Sequence, residues 1–348
     1  MPVLNSCWFY STNGVTDYKV ASDNESNLYI PLLDGKLISI NSKNAEKNWA
    51  AELAGDIHSD LLVDRENVYV VIKGQNELSD KDENKTNTAI LHSLSKPTGI
   101  TRWQIRFMSL DKVELYDSEN NIILIFADGT IYSVAKYDGR INWKKSLGTE
   151  ISAFPFIITN EIILGTLSKQ ITVLSLKDGE LIESSKISAS PTVIVEDKTG
   201  NNLVIGDKKG NLWSLNKKKK TRNWSFRQGA EISNIRLTAL GVLVSSFDNF
   251  VYLLSEASGK LIWKKRLSGR IAAEPQIKDG NFVLTSIDES EALVIELDSG
   301  KVVNKVALKD DNFFTGESIQ LKNLFIYTTR KGIFGFSLSE EGCGLPEK

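Results

Sequence analysis

DGTIYSVAKYDGRINWKKSL at Asp128–Leu147 and NFVYLLSEASGKLIWKKRL at Asn249–Leu267 carry one pattern: a turn, a short alternating strand, a second turn containing Gly, and a strand built around Trp. KGNLWSLNKKKKTRNWSFR (Lys209–Arg227) and DGKLISINSKNAEKNWAAEL (Asp34–Leu53) repeat it. Ahead of such units lie paired apolar runs, for example Ile151–Ile158 then Ile162–Gly165, and Ile271–Ile277 then Phe282–Thr285. Short runs of β-branched and aromatic residues divided by Gly, Asn, Asp and Lys read as strands, because branched side chains fit a pleated, half-buried surface. No segment holds a helical period over three turns.

Tryptophan sets the period. Trp8, Trp49, Trp103, Trp143, Trp224 and Trp263 are spaced by 41, 54, 40, 81 and 39 residues. The long interval of 81 is two periods with Glu183 at the vacant position, and one period beyond Trp263 lies Asn304. The interval of 54 contains a polar insertion, Gly74–Thr88 (GQNELSDKDENKTNT), which reads as a loop extending from the second repeat. Trp213 is out of register, in an earlier strand of its repeat. A repeat of roughly 40 residues with four strands predicts an all-β, eight-bladed β-propeller of four-stranded antiparallel blades, with residues 1–348 as a single domain.

Seven complete repeats end at Trp49, Trp103, Trp143, Glu183, Trp224, Trp263 and Asn304. Three more strands follow, near Thr315–Gln320, Leu324–Thr328 and Gly332–Ser337, while the segment around Trp8 is a spare strand in register. The N-terminal strand is therefore expected to complete the last blade, which removes an open edge. The repeated indoles at Trp8, Trp49, Trp103, Trp143, Trp224 and Trp263 are expected to wedge between blades, each burying a large area and donating one N–H to a neighbouring carbonyl. Gly139, Gly179, Gly259 and Gly300, four residues ahead of the repeat ends, fit turns that need positive φ.

Composition bounds the function. The chain has 348 residues, 25% of them charged, and a net charge of −2. A nucleic-acid binder needs a net positive footprint, so that class is not expected. No run of 18 apolar residues is present to span a membrane. The two cysteines, Cys7 and Cys343, are too few for a structural zinc site. Leu4-Asn5-Ser6-Cys7 resembles the lipobox of bacterial lipoproteins, so Cys7 is a candidate for lipidation and the native start would then lie upstream. A disulfide between Cys7 and Cys343, across the composite blade, is the competing reading, and two free thiols are the third. Such a disulfide would be worth up to ~5 kcal/mol on the loop-entropy account.

The Asp/Ser-Gly-Lys/Arg turn followed by Trp, best seen in Val134–Trp143 (VAKYDGRINW) and Leu253–Trp263 (LLSEASGKLIW), resembles the tryptophan-docked repeats of PQQ-like propellers. Within that superfamily the chain is most similar to the BamB family, from Trp8 to Leu338. The resemblance implies a non-catalytic periplasmic protein, a monomer and a lipoprotein of the outer membrane. Its expected role is to support insertion of β-barrel proteins by binding the periplasmic domains of BamA. The family's contact run Leu-Arg-Gly-Glu corresponds here to Leu147-Gly148-Thr149-Glu150, which keeps Leu147 and Glu150 but lacks the arginine. A family aspartate pair before the fifth blade is absent from Ile187–Pro191. These departures keep open an adaptor role with a different partner.

PQQ-dependent dehydrogenases share the repeat, yet the adjacent-cysteine disulfide by which they resemble one another is missing, and no cofactor is expected. No Walker loop or nucleophile elbow occurs, and His58 and His92 lie in no motif. Lys217–Lys220 reads as the solvated tip of a turn, with a partner or lipid headgroup as the other reading. Phe313-Phe314, beside Asp310 and Asp311, is read either as an apolar partner contact or as core filling.

Overall fold

The computed structural model describes residues 5–12, 14, 16–74, 88–109, 111–158, 160–271, 274–286, 289–308, 312–337 and 343. Among them 32 strands form eight four-stranded antiparallel sheets, the blades of an eight-bladed propeller. Blades 1 to 7 span 21–52, 62–107, 113–146, 151–186, 191–227, 232–266 and 276–307, with strands in chain order. Blade 8 takes three strands from Phe314–Leu321, Leu324–Thr329 and Gly332–Ser337 and its outer strand from Asn5–Ser11. Trp8 lies opposite Gly335 in that pairing, so both chain termini share one sheet. Of the insertion, Gly74 and Thr88 are hydrogen-bonded at 2.8 Å, and 75–87 lie outside the described residues.

Contacts divide the chain into two compact units. One, 145–309, holds blades 4 to 7; the other, 2–144 with 310–348, holds blades 8, 1, 2 and almost all of blade 3. Within each unit, adjacent blades bury their second and third strands against one another. Tyr29, Val68, Val70 and Leu94 lie in the core of blades 1 and 2, and Val204, Ile235, Val244 and Leu254 in that of blades 5 and 6. Each fully buried aliphatic side chain is worth about 1.5–3 kcal/mol.

The outer strands share one irregularity. Ser39 pairs with Trp49 but Ile40 with Lys47, leaving Asn48 as an extra residue. The same shift follows Trp103, Glu183, Trp224, Trp263 and Asn304 in their pairings. A bulge at that point increases the local twist and re-aims the neighbouring side chain. In five places the re-aimed group is an indole that donates to the next blade: Trp8 to Ser42 O (2.7 Å), Trp49 to Lys96 O (2.9 Å), Trp103 to Lys136 O (2.9 Å), Trp224 to Glu256 O (2.7 Å) and Trp263 to Leu297 O (2.9 Å). Trp143 occupies the equivalent place in Ile141–Ser146, half-buried. A glycine lies against four of these rings. A Cβ built on Gly99, Gly139, Gly259 or Gly300 would meet Trp49, Trp103, Trp224 or Trp263 at 2.4–2.8 Å, and all four have positive φ.

Candidate functional site

Each blade exposes two sets of turns. One rim carries the turns between second and third strands together with the connections between blades; the opposite rim carries the other turns. Leu147–Glu150 is the connection from the strand Ile141–Ser146 into Ile151–Ile158, on the first rim. Leu147 is half-buried and Glu150 is exposed. The Glu150 carbonyl accepts from Leu167 N at 2.9 Å, which sets the exposed Leu167 beside it. Blade 6 repeats the arrangement: Phe247 N donates to Glu231 O at 3.1 Å, the ring is 43% exposed, and the Arg270 guanidinium lies 5.8 Å from its centre. The rim of this unit therefore displays an aliphatic and an aromatic side chain, each tied to a glutamate residue. Leu167 and Phe247 escaped the sequence reading. The equivalent turn positions, just ahead of Asp-Gly, hold Leu33 and Ala127, so an apolar residue there does not stand out in the sequence.

Phe313 and Phe314 belong to the other unit, and the two rings diverge. Phe314 is 1% exposed, packed edge-on to Tyr327 with centroids 5.5 Å apart, so it fills the blade 8 core. Phe313 is half-buried; its N–H donates to Asn312 Oδ1 and its carbonyl accepts from Arg330 N. Asp310 and Asp311 lie outside the described residues.

Cys7 and Cys343 form a disulfide, Cα to Cα 5.0 Å, on the composite blade. The sulfur of Cys7 that a lipid thioether requires is thus bonded to Cys343. Cys343 is 5% exposed and Cys7 packs against the core shared by blades 8 and 1.

On the first rim, blades 1 to 3 also line a cavity of about 540 Å³ whose walls alternate in charge: Asp17, Lys19, Asp60, Lys112 and Glu114. Burial, with Asp60 nearby, raises the phenol of Tyr18, whose oxygen lies 3.4 Å from His58 Nδ1. His58 Nε2 lies 3.2 Å from the Asp111 carbonyl. Tyr116 donates to Glu114 Oε2 at 2.6 Å, and burial holds its phenol well above the ordinary value. Such a wall offers paired donors and acceptors to a polar chain segment. Among the described residues no three His, Cys, Asp or Glu side chains group as a metal site.

A family model described as outer membrane protein assembly factor BamB matches residues 84–207 and 240–308. A relative with that name from Legionella pneumophila (strain Paris) is 26% identical over 182 residues, covering 48% of this chain and 47% of the relative, so the match spans about half of each. The crystal structure of BamB from Moraxella catarrhalis superposes with a TM-score of 0.75 at 14% identity, covering 97% of this chain and 98% of that one. The computationally designed Ika8 protein (TM-score 0.73, 14% identity, 96% and 99% covered) and Saccharomyces cerevisiae Sqt1 (0.74, 10%, 97% and 99%) have the same fold. The family match covers more than half of the sequence, including the repeats of Trp103 and Trp263, and the chain belongs to the BamB family of outer membrane protein assembly factors.

Proposed function

We propose that this protein is a non-catalytic, monomeric scaffold of outer membrane assembly that grips a partner with the rim of blades 4 to 6. The observation that carries this reading is the pair of exposed apolar turn residues, Leu167 and Phe247, each bonded through its backbone to a glutamate residue. Rigid sheets hold these turns, so little conformational entropy is lost when a partner docks. Leu147 and Glu150 extend the same surface. The family resemblance makes the periplasmic domains of BamA the first partner to test. The absence of arginine from Leu147–Glu150 and of an aspartate pair from Ile187–Pro191 favours a second reading, the same rim used on a different protein.

A periplasmic location is supported by the Cys7–Cys343 disulfide, since such bonds persist in oxidising compartments. Attachment to the membrane then runs through the partner rather than through a thioether on Cys7.

The test is a binding titration of purified BamA periplasmic domains against the wild type and a Leu167→Glu/Phe247→Glu variant. Loss of two apolar anchors should weaken binding by at least about tenfold, each being worth roughly 1–2 kcal/mol or more at an interface. Equal affinity of the two proteins removes this rim from the interface. No binding to either turns the search to another partner.

A further inference from the structure

The boundary between blades 4 and 5 lacks the indole found between blades 5 and 6, and the space has not closed. Glu183 stands where the repeat places Trp, paired with Val173 and followed by the same register shift. Beside it is a cavity of about 240 Å³ with an apolar floor of Ile163, Ile171, Leu203 and Leu215. Leu203 occupies the position that Phe282 holds in blade 7, where Trp263 stacks on the phenyl ring with centroids 6.1 Å apart and planes 2° from parallel. The carbonyl that would receive the indole N–H is that of Lys217, by equivalence with Lys96, Lys136 and Glu256. A glutamate carboxylate has no proton to give it, and no described side chain donates to that oxygen.

The rim of this cavity carries three lysines, Lys217, Lys218 and Lys220, against two glutamates, Glu161 and Glu183. Lys220 replaces the glycine that faces Trp elsewhere, keeps the positive φ of that position at 54°, and donates to Glu183 Oε2 at 2.7 Å. Lys217 is paired with Glu196. Lys218 and Lys219 are exposed, and neither ammonium meets a carboxylate among the described residues. Apolar cavities of about 150 Å³ hold a benzene ring in other proteins. The slot is therefore large enough for an aromatic side chain, has an acceptor in place for an indole N–H, and has at its edge Lys218, whose ammonium meets no carboxylate among the described residues, with Lys219 next in the chain.

We propose that this slot is a docking site for a tryptophan side chain carried by an acidic segment of a partner protein, its indole taking the place that the chain's own Trp takes between neighbouring blades. The site lies on the rim opposite Leu167 and Phe247, so it stands or falls independently of the assembly role. The Glu183–Lys220 ion pair closes the entrance when it is empty and opens by rotation of two half-exposed side chains.

Three capped tripeptides test this: Asp-Trp-Glu, Lys-Trp-Lys and Asp-Ala-Glu, titrated into full-length protein with labelled Ile and Leu methyl groups. Asp-Trp-Glu should shift the methyls of Ile163, Ile171 and Leu203 saturably. Lys-Trp-Lys should bind at least about fivefold more weakly against the like-charged rim, and Asp-Ala-Glu should leave the methyls unmoved. In Glu183→Trp/Lys220→Gly the chain fills its own slot, so the shifts should vanish and Tm should rise by about 2 °C. The proposal is overturned by unmoved methyls at millimolar Asp-Trp-Glu, by equal binding of Lys-Trp-Lys, or by unchanged peptide binding in the filled variant. Should that variant not fold, Val173→Phe narrows the same slot from the third strand and must weaken the peptide.

Discussion

The boundary between blades 5 and 6 and the boundary between blades 4 and 5 are built on one plan and sealed in opposite ways. In the first, Trp224 is 7% exposed, donates to Glu256 O, and lies so close to Gly259 that a Cβ there would approach it to 2.4 Å. In the second, Glu183 and Lys220 replace ring and glycine with an exposed ion pair, and an apolar cavity lies beneath. Yet the strand register is the same: Ser214 faces Trp224 and Val173 faces Glu183, each followed by the bulge. The backbone ladder and its bulge thus set the blade, while the indole governs how tightly neighbouring blades close.

Replacing each side of the comparison should show it. Trp224→Ala removes a buried ring and leaves a void, at a cost of about 3–5 kcal/mol in chemical denaturation. Gly259→Ala places a Cβ into that ring at a φ of 66° and should cost about 1–3 kcal/mol. Lys220→Ala, at the equivalent position with no ring opposite, should change stability by no more than about 0.5 kcal/mol. Glu183→Ala should likewise stay within about 0.5 kcal/mol, as exposed ion pairs do; a loss as large as that of Trp224→Ala breaks the comparison outright.

The smallest effect is a pH dependence confined to one boundary. The Lys220 ammonium holds the Glu183 carboxyl below its ordinary range, against the opposing effect of burial and with smaller help from the Ser185 hydroxyl. A carboxyl lowered in the folded state contributes stability above its unfolded pKa and loses it as pH falls through the folded value. The midpoint difference between wild type and Glu183→Gln should therefore be constant at neutral pH and shrink below about pH 4. A difference that grows on acidification contradicts the ion pair.

The sequence makes most of the fold legible, since a tryptophan recurring on outer strands marks both the period and the spare N-terminal strand. It also shows the vacancy at Glu183. It hides the partner of that vacancy, because in a run of four lysines nothing but alignment with Gly139 marks Lys220 as the residue in the glycine position. The Phe313-Phe314 pair is ambiguous as text because adjacent residues on a strand face opposite sides; the fold sends Phe314 inward. Leu167 and Phe247 are single turn residues with no period to announce them. Cysteines separated by 336 positions meet only once the composite blade exists.

That last contact makes nearly the whole polypeptide a covalent loop. A protease that cuts any one surface turn between Cys7 and Cys343 leaves two pieces still joined through sulfur. A nicked molecule would migrate as a single species until a reductant is added. In a compartment exposed to proteolysis, the protein tolerates one break without shedding a blade.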